Sequence, residues 1–196
     1  MTTGMLDYLK SLWDEEWKQV SPWARSAWIA FFALFLIYVA SHRGEGLFID
    51  NVNLVVHEGG HALFSWFGYM PGLLGGTAFQ LMVPLLLACY FFVQRQATGF
   101  AFCLFFFFEN FLGVATYMAD ARAMALPLVT IGDPEFVTHD WHAIFSRVGL
   151  LEYDTTIASL VRFAGWSGMI LTPVWLAAEF RYSRLFPSRE SKHEVH

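Results

Sequence analysis

The chain has 196 residues, of which 56% are hydrophobic, 18% aromatic and only 15% charged. Soluble domains carry about 25% charged residues, so this composition argues against a soluble protein and favours one built for a membrane. The formal net charge is −5, and no basic run with interleaved aromatic residues occurs, which argues against a nucleic-acid partner. The length predicts one compact unit of several membrane spans, not two domains.

The first 21 residues have no apolar core of their own, which argues against a cleavable signal. Apolar side chains recur there at helical spacing: Leu6, Leu9, Trp13, Trp17 and Val20. This pattern predicts an amphipathic interfacial helix within residues 1–21, lying on the membrane surface. A helix docked on a partner protein is the competing interpretation.

The rest of the chain predicts an all-α, polytopic integral membrane protein with about five transmembrane helices. A single membrane domain is expected over residues 22–180, with Pro22 in the first turn of the first span. Charged residues then predict a disordered tail over residues 181–196. The expected spans are, in chain order, residues 23–40, 47–68, 77–93, 100–118 and 157–178.

Polar and helix-breaking residues interrupt these apolar spans. Proline and glycines in residues 71–76 predict a break in helical continuity before the third span, either a turn or a re-entrant segment. Gln80 lies inside a lipid-length run and is expected to face the protein interior. Glu109 and Asn110 lie near the middle of the fourth span, where a carboxylate needs a partner or stays protonated.

The second span contains the motif His57-Glu58-Gly59-Gly60-His61. Residues four apart share one face of a helix, so His57 and His61 can direct two imidazoles at one zinc ion. Glu58 can then take a proton from metal-bound water, which is the chemistry of the H-E-x-x-H pattern. Ionisable groups inside an apolar span are costly and mark function by default. The competing interpretations are packing histidines, or ligands to a tetrapyrrole.

A zinc site of this kind needs a third protein ligand from elsewhere in the chain. Thr138-His139-Asp140-Trp141-His142 has the composition of a helix start, in which Thr138 or Asp140 could cap the helix. A capped surface helix would account for this segment alone. The competing interpretation is that His139 or Asp140 supplies the third ligand.

These features together resemble the site-2 protease family of intramembrane zinc metalloproteases. The resemblance rests on HEGGH in an early span, a glycine-rich segment after it, and a polar, acidic segment downstream. It implies that His57 and His61 ligate Zn²⁺, that Glu58 is the general base, and that a downstream aspartate completes the site. Asp140 is the closest match in spacing and in heading a helix.

The third-ligand segment departs from the family pattern. The family typically has asparagine and proline followed by Leu-Asp-Gly, whereas this chain has His-Asp-Trp. Asp120, within Ala-Asp-Ala-Arg, and His139 are therefore alternative ligands. Residues 23–178 are also similar to a group of bacterial membrane proteins that carry HExGH, a Gly-Gly…Gln…Pro run, ADAR and HDW.

We therefore expect a zinc metalloendopeptidase in the bacterial inner (cytoplasmic) membrane that cleaves a peptide bond in or near a membrane-embedded segment. Its expected partners are membrane lipid and a membrane-protein substrate or neighbouring membrane subunits. Residues 71–76 are the candidate element for substrate entry or gating. The alternative is a non-enzymatic structural subunit of a larger membrane complex, in which His57 and His61 pack or bind a pigment or haem. A metal transporter is disfavoured, because one compact ligand cluster without internal repeats makes a poor permeation path.

Overall fold

The computed structural model describes Gly4 and residues 15–42, 46–127 and 139–185, and these residues form helices and connecting turns without β-strands. The predicted all-α fold is therefore confirmed for this part of the chain. Its α-helices are α1 (Pro22–Ser41), α2 (Phe48–Phe64), α3 (Tyr69–Val93), α4 (Ala97–Ala119), α5 (Asp140–Val148) and α6 (Asp154–Leu185).

Four helical segments are long and apolar enough to cross a membrane, which supports the prediction of a membrane protein. They are Pro22–Ser41, Tyr69–Val93, Ala97–Ala119 and Leu151–Ser183. The other expected span, residues 47–68, corresponds to α2, which has 17 residues. At 1.5 Å per residue α2 is about 25 Å long, shorter than the roughly 30 Å hydrocarbon core. By length and composition, the described residues thus give four spans where about five were expected.

Helices α3 and α4 form the centre of the bundle. Helix α4 packs along α6 on one side and against α3 on the other, while α2 lies along α3. Phe32, Phe105 and Met169 fill the core between α1, α4 and α6. A second buried cluster, which includes Val114 and Trp141, holds α5 against α4. The short helices α2 and α5 are thereby placed beside the two central spans.

The glycine-rich segment at residues 71–76 does not break the helix, so that prediction is wrong. Helix α3 runs without interruption from Tyr69, and Pro71 lies in its first turn, where a missing N–H costs no helical hydrogen bond. Gly68 precedes the helix with a φ of 114°, which lets the chain turn back sharply after α2. The glycines within α3 allow close packing against α2. An entry element that depends on irregular backbone in this segment is therefore not supported.

The crossing of α2 and α3 shows what these glycines do. A Cβ on Gly60 would clash with the backbone carbonyl of Gly75, and a Cβ on Gly75 would lie 2.8 Å from the oxygen of Gly60. The two backbones therefore touch directly, as small residues allow between membrane helices. This contact brings the motif face of α2 onto α3.

The described residues next to the two termini differ in secondary structure from the expectation. Residues 15–21 are not helical, and Trp17 packs into the bundle against Phe100 and Trp175, with ring centroids 5.8 and 5.4 Å away. Most of the predicted interfacial helix, residues 1–14 apart from Gly4, lies outside the described residues. At the other end α6 continues to Leu185, so the expected tail does not begin at residue 181; residues 186–196 lie outside the described part.

Candidate metal centre

Three side chains from two helices meet at one point. The Nε2 atoms of His57 and His61 lie 3.0 Å apart. One carboxylate oxygen of Asp140, Oδ2, lies 3.2 Å from the first and 3.0 Å from the second. The motif helix α2 supplies both imidazoles from successive turns, and Asp140 is the first residue of α5. Of the three third-ligand candidates, it is Asp140 that the fold brings against the two histidines.

The spacing of these three atoms fits a small tetrahedral metal ion. Zinc bonds of about 2.0–2.1 Å in tetrahedral geometry place neighbouring ligand atoms about 3.3 Å apart. The observed separations of 3.0–3.2 Å are close to that value. The donor set, two imidazoles and one carboxylate, is one that catalytic zinc uses.

Asp140 is held as a carboxylate. Burial works to raise its pKa, but the hydrogen bonds with His57 and His61 outweigh burial and hold the pKa of Asp140 below its ordinary value. Its backbone N–H also donates to the hydroxyl of Tyr117, 3.1 Å away in α4. An ionised, positioned carboxylate is therefore available as a ligand near neutral pH.

The far nitrogen of each imidazole has its own partner, which orients the ring. His61 Nδ1 lies 2.8 Å from the backbone oxygen of Gly72, and His57 Nδ1 lies 3.1 Å from Oε1 of Gln80. A backbone oxygen can only accept, so His61 Nδ1 carries a proton, and Nε2 is the nitrogen that faces Asp140. Such outer hydrogen bonds are the usual supports of metal-binding histidines.

Helix α3 closes one side of the centre with a bare backbone. A Cβ on Gly76 would lie 2.6 Å from Nε2 of both His57 and His61. Gly72, Gly76 and Gln80 are spaced four residues apart, so one face of α3 meets the two rings. Any side chain at position 76 would therefore clash with both imidazole rings.

Glu58 lies beside this cluster without joining the contacts with Asp140. One of its carboxylate oxygens is within 4.8 Å of one ring nitrogen of His57 and one of His61. The side of the cluster towards His61 is the more open one, since its side chain is 25% exposed against 10% for that of His57. Glu58, which is itself half-buried, is thus placed where a water or a peptide bond could reach both groups.

The two alternative ligands contact each other instead. Asp120 Oδ2 lies 3.3 Å from His139 Nε2, a close contact without good hydrogen-bond alignment. The carboxylate of Asp120 also accepts the backbone N–H groups of Ala125 and Leu126, both at 3.0 Å. These contacts tie the turn after α4 to the start of α5 and give Asp120 a role in holding the fold.

His139 caps α5, a role that the sequence had suggested for Thr138 or Asp140. Its Nδ1 accepts the backbone N–H of His142 at 3.2 Å. Burial lowers the pKa of His139 against the opposing effect of Asp120, so the ring is neutral at neutral pH. Thr138 lies outside the described residues. Because His139 starts the helix, the next residue, Asp140, points from its first turn towards α2.

Three polar residues of α4 also make hydrogen bonds near the cluster: Glu109, Asn110 and Tyr117. Glu109 is buried in α4 and accepts a hydrogen bond from Asn53 of α2 at 3.1 Å, so its partner comes from the motif helix. Sequence reasoning assigned no role to Tyr117, which supports Asp140, or to Asn110, which is bonded to Gln80. Their polarity within apolar helices was the available signal.

Comparisons of the chain with protein-family models, with curated proteins and with solved structures found no match. The resemblance to site-2 proteases therefore rests on the motif residues alone.

Proposed function

We propose that this protein is an intramembrane zinc metallopeptidase of the site-2 protease type, with His57, His61 and Asp140 as metal ligands and Glu58 as general base. The observation that carries the proposal is the convergence of Asp140 Oδ2 with the two Nε2 atoms, all within 3.2 Å of one another. Helical spacing pairs His57 with His61, but no local pattern requires Asp140, 83 positions after His57, to meet them.

The three atoms that meet at this point need protons or a metal ion between them. With Nδ1 engaged by Gly72 on one ring and Gln80 on the other, both Nε2 atoms and the ionised Asp140 oxygen face one another. Three such donors in contact repel unless protons or a metal ion lie between them. A tetrapyrrole needs a flat space beside one Nε2, which the second ring and Asp140 fill here.

The centre lies at the depth of the membrane spans. Gln80, which contacts His57, is near the middle of α3, and its partner Asn110 is near the middle of α4. Both helices are long and apolar enough to cross a membrane. A substrate must therefore present its peptide bond within or close to the bilayer, which favours a membrane-embedded segment that is partly unwound.

The chemistry proposed is peptide hydrolysis. Zinc, when bound by this ligand set, would polarise the peptide carbonyl and lower the pKa of a water in its open coordination position. Glu58 accepts a proton from the attacking water and returns it to the leaving amine. Asp140, held by Tyr117, keeps the two imidazoles facing the reaction, and the apolar helices around them limit the entry of bulk water.

The test is metal analysis combined with a cleavage assay on the full chain in lipid. The purified protein should hold about one zinc per chain, as a single three-ligand site requires. In proteoliposomes it should cleave reporter proteins whose transmembrane segments contain helix-destabilising residues, and a chelator should stop the cleavage until zinc is restored. A metal-replete protein without zinc would contradict the proposal. Stoichiometric zinc without cleavage of any segment in a varied reporter library would instead support a structural subunit of a larger membrane complex.

A further inference from the structure

We propose that Asn110 and Gln80 are positioning residues that keep His57 in the one tautomer able to ligate the metal. His57 Nδ1 lies 3.1 Å from Gln80 Oε1, and Gln80 Nε2 donates to Asn110 Oδ1 at 2.7 Å. Asn110 Nδ2 in turn donates to the backbone oxygen of Phe106 at 2.7 Å. This chain of hydrogen bonds runs from α4 through α3 to α2. The inference rests on the proposed zinc site.

The donor and acceptor roles along this series of hydrogen bonds follow from its last acceptor, the carbonyl of Phe106. The carbonyl of Phe106 can only accept, so the Asn110 amide must turn its NH₂ towards it and its oxygen towards Gln80. Gln80 must then donate to Asn110, which leaves its own oxygen facing His57. An oxygen in that position requires a proton on His57 Nδ1. Nε2 is therefore the nitrogen that faces Asp140 and is left for the metal.

His61 reaches the same state by a simpler route. Its Nδ1 proton goes directly to the backbone oxygen of Gly72. His57 lies one turn before His61 on α2. Its ring meets α3 at Gln80, two turns after the Gly72 position that His61 contacts. A long amide side chain takes the place of the backbone acceptor there. Both rings thus have an acceptor-only group on Nδ1.

Burying two amide side chains in apolar helices costs free energy, which argues that Gln80 and Asn110 have a function. Gln80 and Asn110 are both buried, at 8% and 4% exposure, in helices apolar enough to cross a membrane. Polar groups in such a setting are costly unless they are bonded to one another. Within the part of the chain that the structure describes, each side-chain hydrogen bond of the pair leads towards His57 or ends at Phe106. The pair stabilises one ring state, and its removal should weaken the metal site without removing a ligand.

The experiment compares two substitutions at position 80 in the full chain in detergent. Gln80→Glu keeps an oxygen acceptor for His57 in either protonation state, whereas Gln80→Met has a similar size and no acceptor. We expect Gln80→Met to lower zinc affinity about 10–100-fold, as loss of an outer hydrogen bond to a metal ligand does, and Gln80→Glu to stay close to the parent. A role in packing alone predicts the reverse order, because methionine is tolerated in apolar cores and a carboxyl group is not. Zinc affinity is measured by competition with a chelator of known affinity.

A double-mutant cycle tests whether Asn110 acts through Gln80. Asn110→Leu should weaken zinc binding in the parent and add little in the Gln80→Met background, since its effect passes through the removed amide. The matched control is Thr172→Val, which removes a buried hydroxyl bonded to Gly168 in α6, away from this chain. The control should leave zinc affinity unchanged. Additive effects of the two substitutions would overturn the role given to Asn110.

A second readout does not depend on metal. In the metal-free protein labelled with ¹⁵N-histidine, at about two pH units above the ordinary imidazole pKa, the signal that disappears in His57→Ala should show a protonated Nδ1, whether or not Nε2 shares a proton with Asp140. Gln80→Met should mix the two tautomers, and Gln80→Glu should not. An unchanged His57 tautomer in Gln80→Met overturns this proposal even if zinc binds, whereas a parent with the expected tautomer and no zinc affinity overturns the proposed function alone.

Discussion

Gly76 of α3 lies directly against Nε2 of His57. A Cβ at position 76 would come within 2.6 Å of His57 Nε2 and equally close to Nε2 of His61. Real Cβ atoms do not approach a neighbour so closely, and both rings are already fixed through their Nδ1 atoms. The lack of a side chain on α3 is therefore part of the site.

Gly76→Ala is expected to disrupt the metal centre. The methyl group would force the rings of His57 and His61 apart, and we expect zinc affinity to fall about 10–100-fold or more, with a loss of about 1–3 kcal/mol in the free energy of unfolding from overpacking. The control is Gly59→Ala, whose Cβ would lie 3.8 Å from the Phe79 ring, an ordinary contact. Chelator competition measures the first effect. Equal zinc affinity in both variants would show that the rings are not confined as described.

Gly60→Ala should prevent the close crossing of α2 and α3. Its Cβ would clash with the backbone oxygen of Gly75, which cannot move without displacing α3. We expect a large fall in thermal stability and in the yield of monodisperse protein, whereas Gly59→Ala, one residue earlier, should be neutral or slightly stabilising because alanine favours helix by about 1 kcal/mol over glycine. A Gly60→Ala protein as stable as Gly59→Ala would contradict backbone contact at this crossing.

His57→Ala and His61→Ala should each lower the zinc content of the purified protein to near zero. Each removes one of the three converging donors and leaves too few ligands for a stable site. His42→Ala is the matched control, because that ring is bonded to Tyr38 at the end of α1 and has no part in the cluster. Elemental analysis gives the answer. Zinc retained in both motif variants would mean that the metal binds elsewhere.

Asp140→Ala and Asp120→Ala should separate ligation from folding. Asp140→Ala should cut zinc affinity sharply, since it removes the carboxylate that contacts both histidines. Asp120→Ala should leave zinc affinity near that of the parent but lower the free energy of unfolding by about 1–3 kcal/mol, because the N–H groups of Ala125 and Leu126 lose their acceptor. Zinc titration and thermal unfolding of the two proteins, measured side by side, distinguish these effects. The opposite pattern would make Asp120 the ligand.

Glu58→Gln should keep zinc and lose hydrolysis. The amide has nearly the shape of the carboxylate but cannot accept a proton, and removal of a general base typically costs about 10²–10⁴-fold in rate. Glu58 makes none of the contacts that join Asp140 to the histidines, so the metal should remain. Rates on a membrane-embedded reporter and zinc content are measured on the same preparation. Undiminished proteolysis by this variant would remove Glu58 from the mechanism.

Several features could be predicted from the sequence because they depend on local periodicity. Apolar runs of sufficient length predicted α1, α3, α4 and the last span, since the number of residues needed to cross a bilayer is a property of the helix itself. The pairing of His57 with His61 follows from helical geometry, and their Nε2 atoms do lie 3.0 Å apart. The interior position of Gln80 could likewise be read from its polarity in an apolar helix.

Other features depended on how the helices pack. The glycines at positions 72, 75 and 76 favour a break in the helix by local propensity, yet all three lie inside α3. Their role is in packing, since the close contact with α2 requires residues without side chains. The sequence left Asp120, His139 and Asp140 as open alternatives. Only the docking of α5 against α4 brought Asp140 to the two imidazoles and paired Asp120 with His139. Contacts between residues 80 positions apart are set by the register and crossing of packed helices, and no local periodicity encodes them.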